Sequence, residues 1–311
     1  MRGYIIRRLL QSFIVIKGVL LIVFFMLQMT GDPAGVLMPE DSDEEDIAEF
    51  RKEMGFDLPI HIQYVNFLIG YKESKGVLRG DFGFSFRQEL PALGIVLEHF
   101  PATVLLAFAS VLIATLISIP AGVLSAVYRN TWIDHFSTVG AMLGQSMPGF
   151  WLGLLFIMFF AVKLEWLPTS GSEGFEYLVL PALTAGLYAT ARLTRLVRSG
   201  MLEVLGSDYI QTARSKGLIE SVVVFRHALK NASIPVVTLI GLELGILLGG
   251  TVVVEVVFSW PGVGYLVVDS INSQDYPVVQ AAVALLATCF VIVNLGVDLL
   301  YAWLDPRIAY K

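Results

Sequence analysis

Lys17, Glu243, Glu255 and Asp298 stand inside long apolar stretches of this 311-residue chain. A charge in lipid is costly, so each reads as a functional group until a partner or a route to water is found. The chemistry they offer is that of a polar path, in which carboxylates and amines hold a passing solute by hydrogen bonds. Glu243 fits the path best, about two turns beyond Pro235 and among glycines. The competing reading is a hydrogen bond to a neighbouring helix. Glu255 lies twelve positions further on. On an ideal helix that is about 18 Å along the axis and roughly 120° around it, so the two cannot form one carboxylate pair. Glu255 is expected to reach water at the outer end of its stretch, Lys17 to snorkel inwards, and Asp298 to pair with a basic group.

Other chemistries lack their residues. No G-x-x-x-x-G-K-[ST] phosphate loop is present. His61, His99, His135 and His227 are scattered, with no i, i+4 pair and no nearby cysteine, so no metal site is expected. Cys289 is the sole cysteine, which excludes a disulfide framework. Spacing points to no hydrolytic triad, and no residue is assigned a catalytic role. A net charge of −6 leaves no basic surface for nucleic acid.

The elements that must position these residues are membrane helices. Hydrophobic residues make up 56% of the chain and charged ones 15%, against about 25% charged in soluble domains. Mean hydropathy is +0.72. A crossing needs about 20 apolar residues, and six stretches qualify: 9–29, 102–127, 136–162, 177–196, 234–258 and 278–304. None alternates as a barrel strand does, so an all-α integral membrane protein is expected. The first stretch has the basic start of a signal peptide, but its apolar region is long and Thr30-Gly31-Asp32-Pro33 suits cleavage poorly; a retained helix is expected. Arg2, Arg7, Arg8, Arg129, the basic residues of 192–230, Arg307 and Lys311 fall on one side, which is then cytoplasmic together with both termini. The organisation read from this is an N-terminal segment with the first span (1–29), an external loop (30–99) and a five-helix core (100–311) with a cytoplasmic loop at 198–233.

Within the external loop, 40–53 is strongly acidic. Ser42 is placed to cap a helix with Glu45 as its box partner, and Ile47, Phe50 and Met54 share one face. Such a helix is either a solvated element on the membrane surface or a docking face for a soluble partner. Gly241, Gly245 and Gly249 recur every four residues, a spacing that lets another helix approach closely. In the cytoplasmic loop, Ser207 or Asp208 is a suitable N-cap. A helix of about two turns over 208–216 should end at Gly217, with a second helix over 218–231 leading into the fifth span.

Here the chain resembles a known family. Gln211-Thr212-Ala213-x-x-x-Gly217 is similar to the EAA loop of bacterial ABC importer permeases, in the form used by the first membrane subunit of dipeptide, oligopeptide and nickel systems. Gln211 and Thr212 replace the usual Glu-Ala, while Tyr209-x-x-Thr212-Ala213-Arg214-x-Lys216-Gly217 follows the peptide branch. Segments in matching order extend the likeness over nearly the whole chain: Gly31-Asp32-Pro33-Ala34, Gly80-Asp81-Phe82-Gly83-x-Ser85, Pro101-Ala102-Thr103, Ser146-Met147-Pro148, Trp260-Pro261-Gly262 and Asp275-Tyr276-Pro277.

The resemblance implies a non-catalytic permease for di- or oligopeptides, or alternatively for nickel or a nickel chelate. It implies a second homologous permease, two ATPase subunits and an extracellular or periplasmic substrate-binding protein. No cofactor belongs to this chain, with ATP and Mg held by the ATPases. Tyr209, Gln211, Thr212, Ala213, Arg214, Lys216 and Gly217 would form the ATPase-docking element. From another class, an ion-gradient-driven secondary transporter would show internal repeats; none is clear between the halves, and the docking-like loop has no evident role there.

Overall fold

The computed structural model describes residues 2–29, 34, 43–72 and 74–304, and among these it is helical with no strand beyond one isolated bridge. In chain order the helices are α1 (Arg2–Met29), α2 (Glu44–Met54), α3 (Ile60–Ile69), α4 (Ala92–Val127), α5 (Trp132–Ser146), α6 (Gly149–Phe156), α7 (Phe175–Leu205), α8 (Asp208–Ser215), α9 (Leu229–Gly250), α10 (Val252–Val257), α11 (Val263–Asn272) and α12 (Tyr276–Leu304). A π-helical segment, Ile157–Lys163, prolongs α6. A short turn, Glu220–Val222, and a second π segment, Val223–Ala228, lead into α9.

Four helices among the described residues are long and apolar enough to cross a membrane, or five if one bent pair forms a single span. The stretch 136–162, expected as one span, falls in the bent pair: the chain turns by 107° between α5 and α6 with its π-helical extension. Proline is the cause. Met147 precedes Pro148 and is driven out of the helical region to φ −88°, ψ 134°. The fifth expected span, 234–258, is likewise broken. The helix ends at Gly250, and α10 starts afresh after Thr251. The stretch 177–196 lies in α7, which has the length, at 31 residues, but is not among the helices apolar enough. The reason is its surroundings. Leu180, Ala182, Leu193 and Val197 are buried in protein, and Arg192 and Arg198 find carboxylates there, so α7 need not present lipid with an apolar cylinder.

The chain divides into two compact units. The first comprises Met1–Pro101 with Gly262–Val291. Its core joins Ala92, Ile95 and Val96 of α4 to Val263 and Leu266 of α11 and Val278 and Ala281 of α12. An aromatic cluster fastens α1 to α3: the Phe24 ring centroid lies 5.3 Å from that of Tyr64 and 5.4 Å from that of Phe67. The second comprises Ala102–Pro261 with Ile292–Lys311 and holds two apolar clusters, one around Leu106, Leu180 and Phe258, the other around Leu193, Met201 and Ile210.

The acidic segment forms α2 as expected, but Asp43 is its N-cap and makes no side-chain capping bond. Ser42 lies outside the described residues, as does the Met54 side chain; Ile47 and Phe50 are half-buried. Gly55, in the left-handed region at φ 75°, closes the helix.

Candidate functional site

α8 is built to stand on the protein with one face and leave the other free. Ser207 precedes it in extended backbone, and its carbonyl accepts the Ile210 and Gln211 N–H groups at 3.1 and 3.3 Å. The Ser207 hydroxyl does not cap the helix; it donates back to the Val204 carbonyl at 2.6 Å. Ile210 and Ala213, three positions apart, are buried in the cluster with Met201, Val223 and Ala228. Two polar ties add to this. Asn231 Nδ2 donates to the Tyr209 hydroxyl at 2.7 Å. Arg214 grips Glu220 with Nε and Nη2, at 3.1 and 2.6 Å, and this partnership raises the guanidinium pKa further.

Between these ties Gly217 turns the chain at φ 78°, a conformation that suits glycine. Gln211, Thr212 and Lys216 therefore face outward, whereas Tyr209 and Arg214, though exposed, are engaged with the chain's own residues. Sequence reading missed the apolar pair just past the elbow: Leu218 is 41% exposed and Ile219 67%. Two hydrophobic residues directly after a helix-stopping glycine were the available signal.

Glu243 and Glu255 each find partners within the protein. Glu243, 1% exposed, accepts from Arg192 Nη2 at 2.7 Å. The pair lines a cleft of about 320 Å³ between α5, α6, α7, α9 and α10. The Arg192 guanidinium also lies over the Tyr188 ring, 4.8 Å from its centroid, a favourable cation–π contact. The hydrogen bond and the place on a cavity, alternatives in the sequence, are thus both present.

Glu255 corrects its expectation. It does not reach water: it is fully buried, and its Oε1 accepts from the Thr103 and Thr251 hydroxyls at 3.0 and 2.8 Å. Lys17 is exposed, with Nζ 5.1 Å from the centroid of Phe13, one turn nearer the N-terminus. Asp298 is half-buried. Of the small-residue row, Gly241 lies against Val297, Gly245 is buried, and a Cβ on Gly249 would meet nothing within 4 Å.

Asp134, in a segment assigned no site, is the centre of a dense polar network. Arg198 Nε and Nη2 donate to its two oxygens at 2.7 and 2.9 Å, joined by the Ser125 hydroxyl at 2.6 Å and the Asn130 N–H at 3.0 Å. This clamps α4, α5 and α7 together.

The dispersed sequence segments meet pairwise. Asp275 accepts from the Ser85 hydroxyl at 2.5 Å and the Phe86 N–H at 3.1 Å. Trp260 Nε1 donates to the Ala102 carbonyl at 2.9 Å. Asp81 closes its own turn, accepting from the Lys75 and Gly83 N–H groups at 2.7 and 2.9 Å. The Lys75 bond is the main reason its carboxyl pKa is held below the ordinary value. Among the described residues no group of three His, Cys, Asp or Glu side chains gathers as a metal site.

Comparisons with known proteins agree with this architecture. Residues 118–310 match the family model described as "Binding-protein-dependent transport system inner membrane component", and residues 1–107 match its N-terminal companion. The glutathione transport system permease protein GsiC of Salmonella typhimurium is 41% identical over 312 residues, covering all of both chains. That of Escherichia coli K12 is 40% identical over the same span. Among solved structures, a chain of the MetNI methionine ABC transporter in inward-facing conformations aligns with a TM-score of 0.56 at 18% identity, over 68% of this chain and 97% of that one. A chain of an amino acid ABC transporter aligns at 0.52 and 14%, over 69% and 94%. These two show the fold alone. The chain belongs to the family of binding-protein-dependent transport system inner membrane components, and is a multi-pass, non-catalytic permease subunit of an ABC importer.

Proposed function

We propose that this permease forms, with a second homologous permease, a translocation path for di- or oligopeptides, driven by two ATPase subunits and fed by an external substrate-binding protein. The observation that carries the reading is α8: a short polar helix whose inner face is fixed by Ile210 and Ala213 and whose outer face offers Gln211, Thr212 and Lys216. A push on such a helix passes through the Leu193–Met201–Ile210 cluster into α7 and α9 rather than dissipating in a loop. Leu218 and Ile219 extend the docking face. In this reading α8 and both termini are cytoplasmic, α2 is external, α7 is a further span, and the exposed Gly249 faces the partner permease.

A peptide's charged termini make unassisted crossing very slow, and the Arg192–Glu243 cleft offers polar groups inside an otherwise apolar wall. The relatives favour a small substrate of this kind, since glutathione is itself a short peptide. The test is uptake into proteoliposomes holding the complete complex, with its binding protein, against di- and tripeptides, glutathione and nickel chelates. Uptake of a peptide that needs both ATP and the binding protein is expected. Uptake by this chain alone under an ion gradient, or of nickel chelates only, overturns the proposal. Cysteines at Gln211 and Lys216 should cross-link to the ATPase; a site on the external loop should not.

A further inference from the structure

The Arg192–Glu243 pair is held by a single contact, from Nη2 to Oε2. Two further polar atoms of the pair, Glu243 Oε1 and Arg192 Nε, are buried and have no hydrogen-bond partner. Buried polar atoms are normally satisfied, and an unpartnered one calls for an explanation. Here there are two, of opposite character, on one ion pair bordering one cleft. Oε1 requires a donor and Nε requires an acceptor. The rest of the wall is nearly apolar: Phe150, Leu152, Ala185, Ile246, Leu247 and Val254. The volume of about 320 Å³ sits at the small end of the range of ligand pockets, roughly 300–1,000 Å³. It suits a short peptide or the end of a longer one.

We propose that this pair is an exchange site for a zwitterionic substrate, an inference that rests on the peptide reading above. The substrate carboxylate takes the Arg192 guanidinium, and the substrate ammonium takes the Glu243 carboxylate. Arg192 is the half a ligand meets first, at 28% exposure against 1% for Glu243. Separating a buried pair strands a charge unless both members gain new counter-ions together. A ligand with one charge satisfies one member and abandons the other. A ligand with both charges replaces the pair without loss, and it also supplies the donor and acceptor that Oε1 and Nε lack. When the ligand leaves, the pair closes again behind it. The site thereby favours molecules carrying both an amino and a carboxylate group, independently of what the binding protein selects.

The experiment uses the complete complex in proteoliposomes, with random-sequence tripeptides offered free, N-acetylated or C-amidated, and lumenal contents read by mass spectrometry. Binding-protein-stimulated ATP hydrolysis reports an intact machine. Wild type should import free peptides roughly tenfold or more faster than either blocked class. Glu243→Gln should remove the advantage of a free amino group, and Arg192→Gln that of a free carboxylate. The double variant, which strands no charge, guards against misfolding of the single ones and should treat all three classes alike. Binding-protein-stimulated ATP hydrolysis is measured in each as the check that the complex is assembled. A double variant that hydrolyses ATP normally and still favours free peptides to the wild-type degree overturns the exchange site alone. A wild-type complex that hydrolyses ATP in response to its binding protein yet imports none of the three classes overturns the peptide reading itself.

Discussion

Removing the Asp134 carboxylate tests whether the clamp between α4, α5 and α7 is a structural keystone. In Asp134→Ala, the Arg198 guanidinium loses two charge-assisted hydrogen bonds, and the Ser125 hydroxyl and Asn130 N–H lose their acceptor. Breaking a buried ion pair from one side costs about 3–5 kcal/mol, because the abandoned charge has no water to return to. Asp134 is 4% exposed but Arg198 retains 29%, so water recovers part of the loss. The expected destabilisation is therefore near the lower bound, ~3 kcal/mol. The internal comparison is Arg214→Ala. Its pair with Glu220 is also bidentate, but the two side chains are 42% and 54% exposed, and exposed pairs contribute about 0–1 kcal/mol. Detergent-titrated unfolding of the purified complex, followed by tryptophan fluorescence, should thus separate the two variants by roughly 2 kcal/mol, or about 30-fold in the unfolding constant. Arg198→Lys keeps the charge but not the planar fork and should fall between them. Equal effects of Asp134→Ala and Arg214→Ala would show that burial is not what gives the clamp its strength.

Three further outcomes follow from the same structure. A Cβ at Gly122 would lie 2.6 Å from Val197 Cβ and 2.8 Å from the Thr194 carbonyl oxygen, so Gly122→Ala should destabilise α4 against α7 by roughly 1–3 kcal/mol, read in the same titration. At Gly217 a Cβ would meet nothing within 4 Å, so Gly217→Ala acts through its φ of 78° alone, at about 1–2 kcal/mol; ATP-driven uptake should fall, and Gly217→Asn, which tolerates that region, should retain more of it. The lowered pKa of Asp81 means that the Ser74–Gly83 turn keeps this stabilisation above the ordinary carboxylate value of 3.8 and loses it as pH falls through the lower folded value. Limited proteolysis of the loop should be unchanged between pH 7 and 5 and increase in stronger acid, a dependence that Asp81→Asn should abolish.

Elements whose cause is local are legible in the order of residues alone. Long apolar runs become helices because lipid offers their backbone no other partner, and α4 and α12 end at Val127 and Leu304 as the hydropathy implies. Ser207, Asp208 and Gly217 carry the start and stop of α8, and the elbow after it, in their own conformational preferences. Pro148 carried the break between α5 and α6 just as locally, but apolar composition alone hides it, because a bent and a straight span contain the same residues.

Tertiary structure decided which charges are partners. Arg192 and Arg198 read in the sequence as cytoplasmic counters of topology. Only the packing of α7 against α9 and α5 turns them toward Glu243 and Asp134, 51 and 64 positions away. Glu255 looked bound for water until Thr103 arrived from α4. A charge near lipid announces that it needs a counterpart, because desolvation is costly wherever it sits. Which counterpart it receives depends on which helices lie side by side, and the linear order of residues does not record that adjacency.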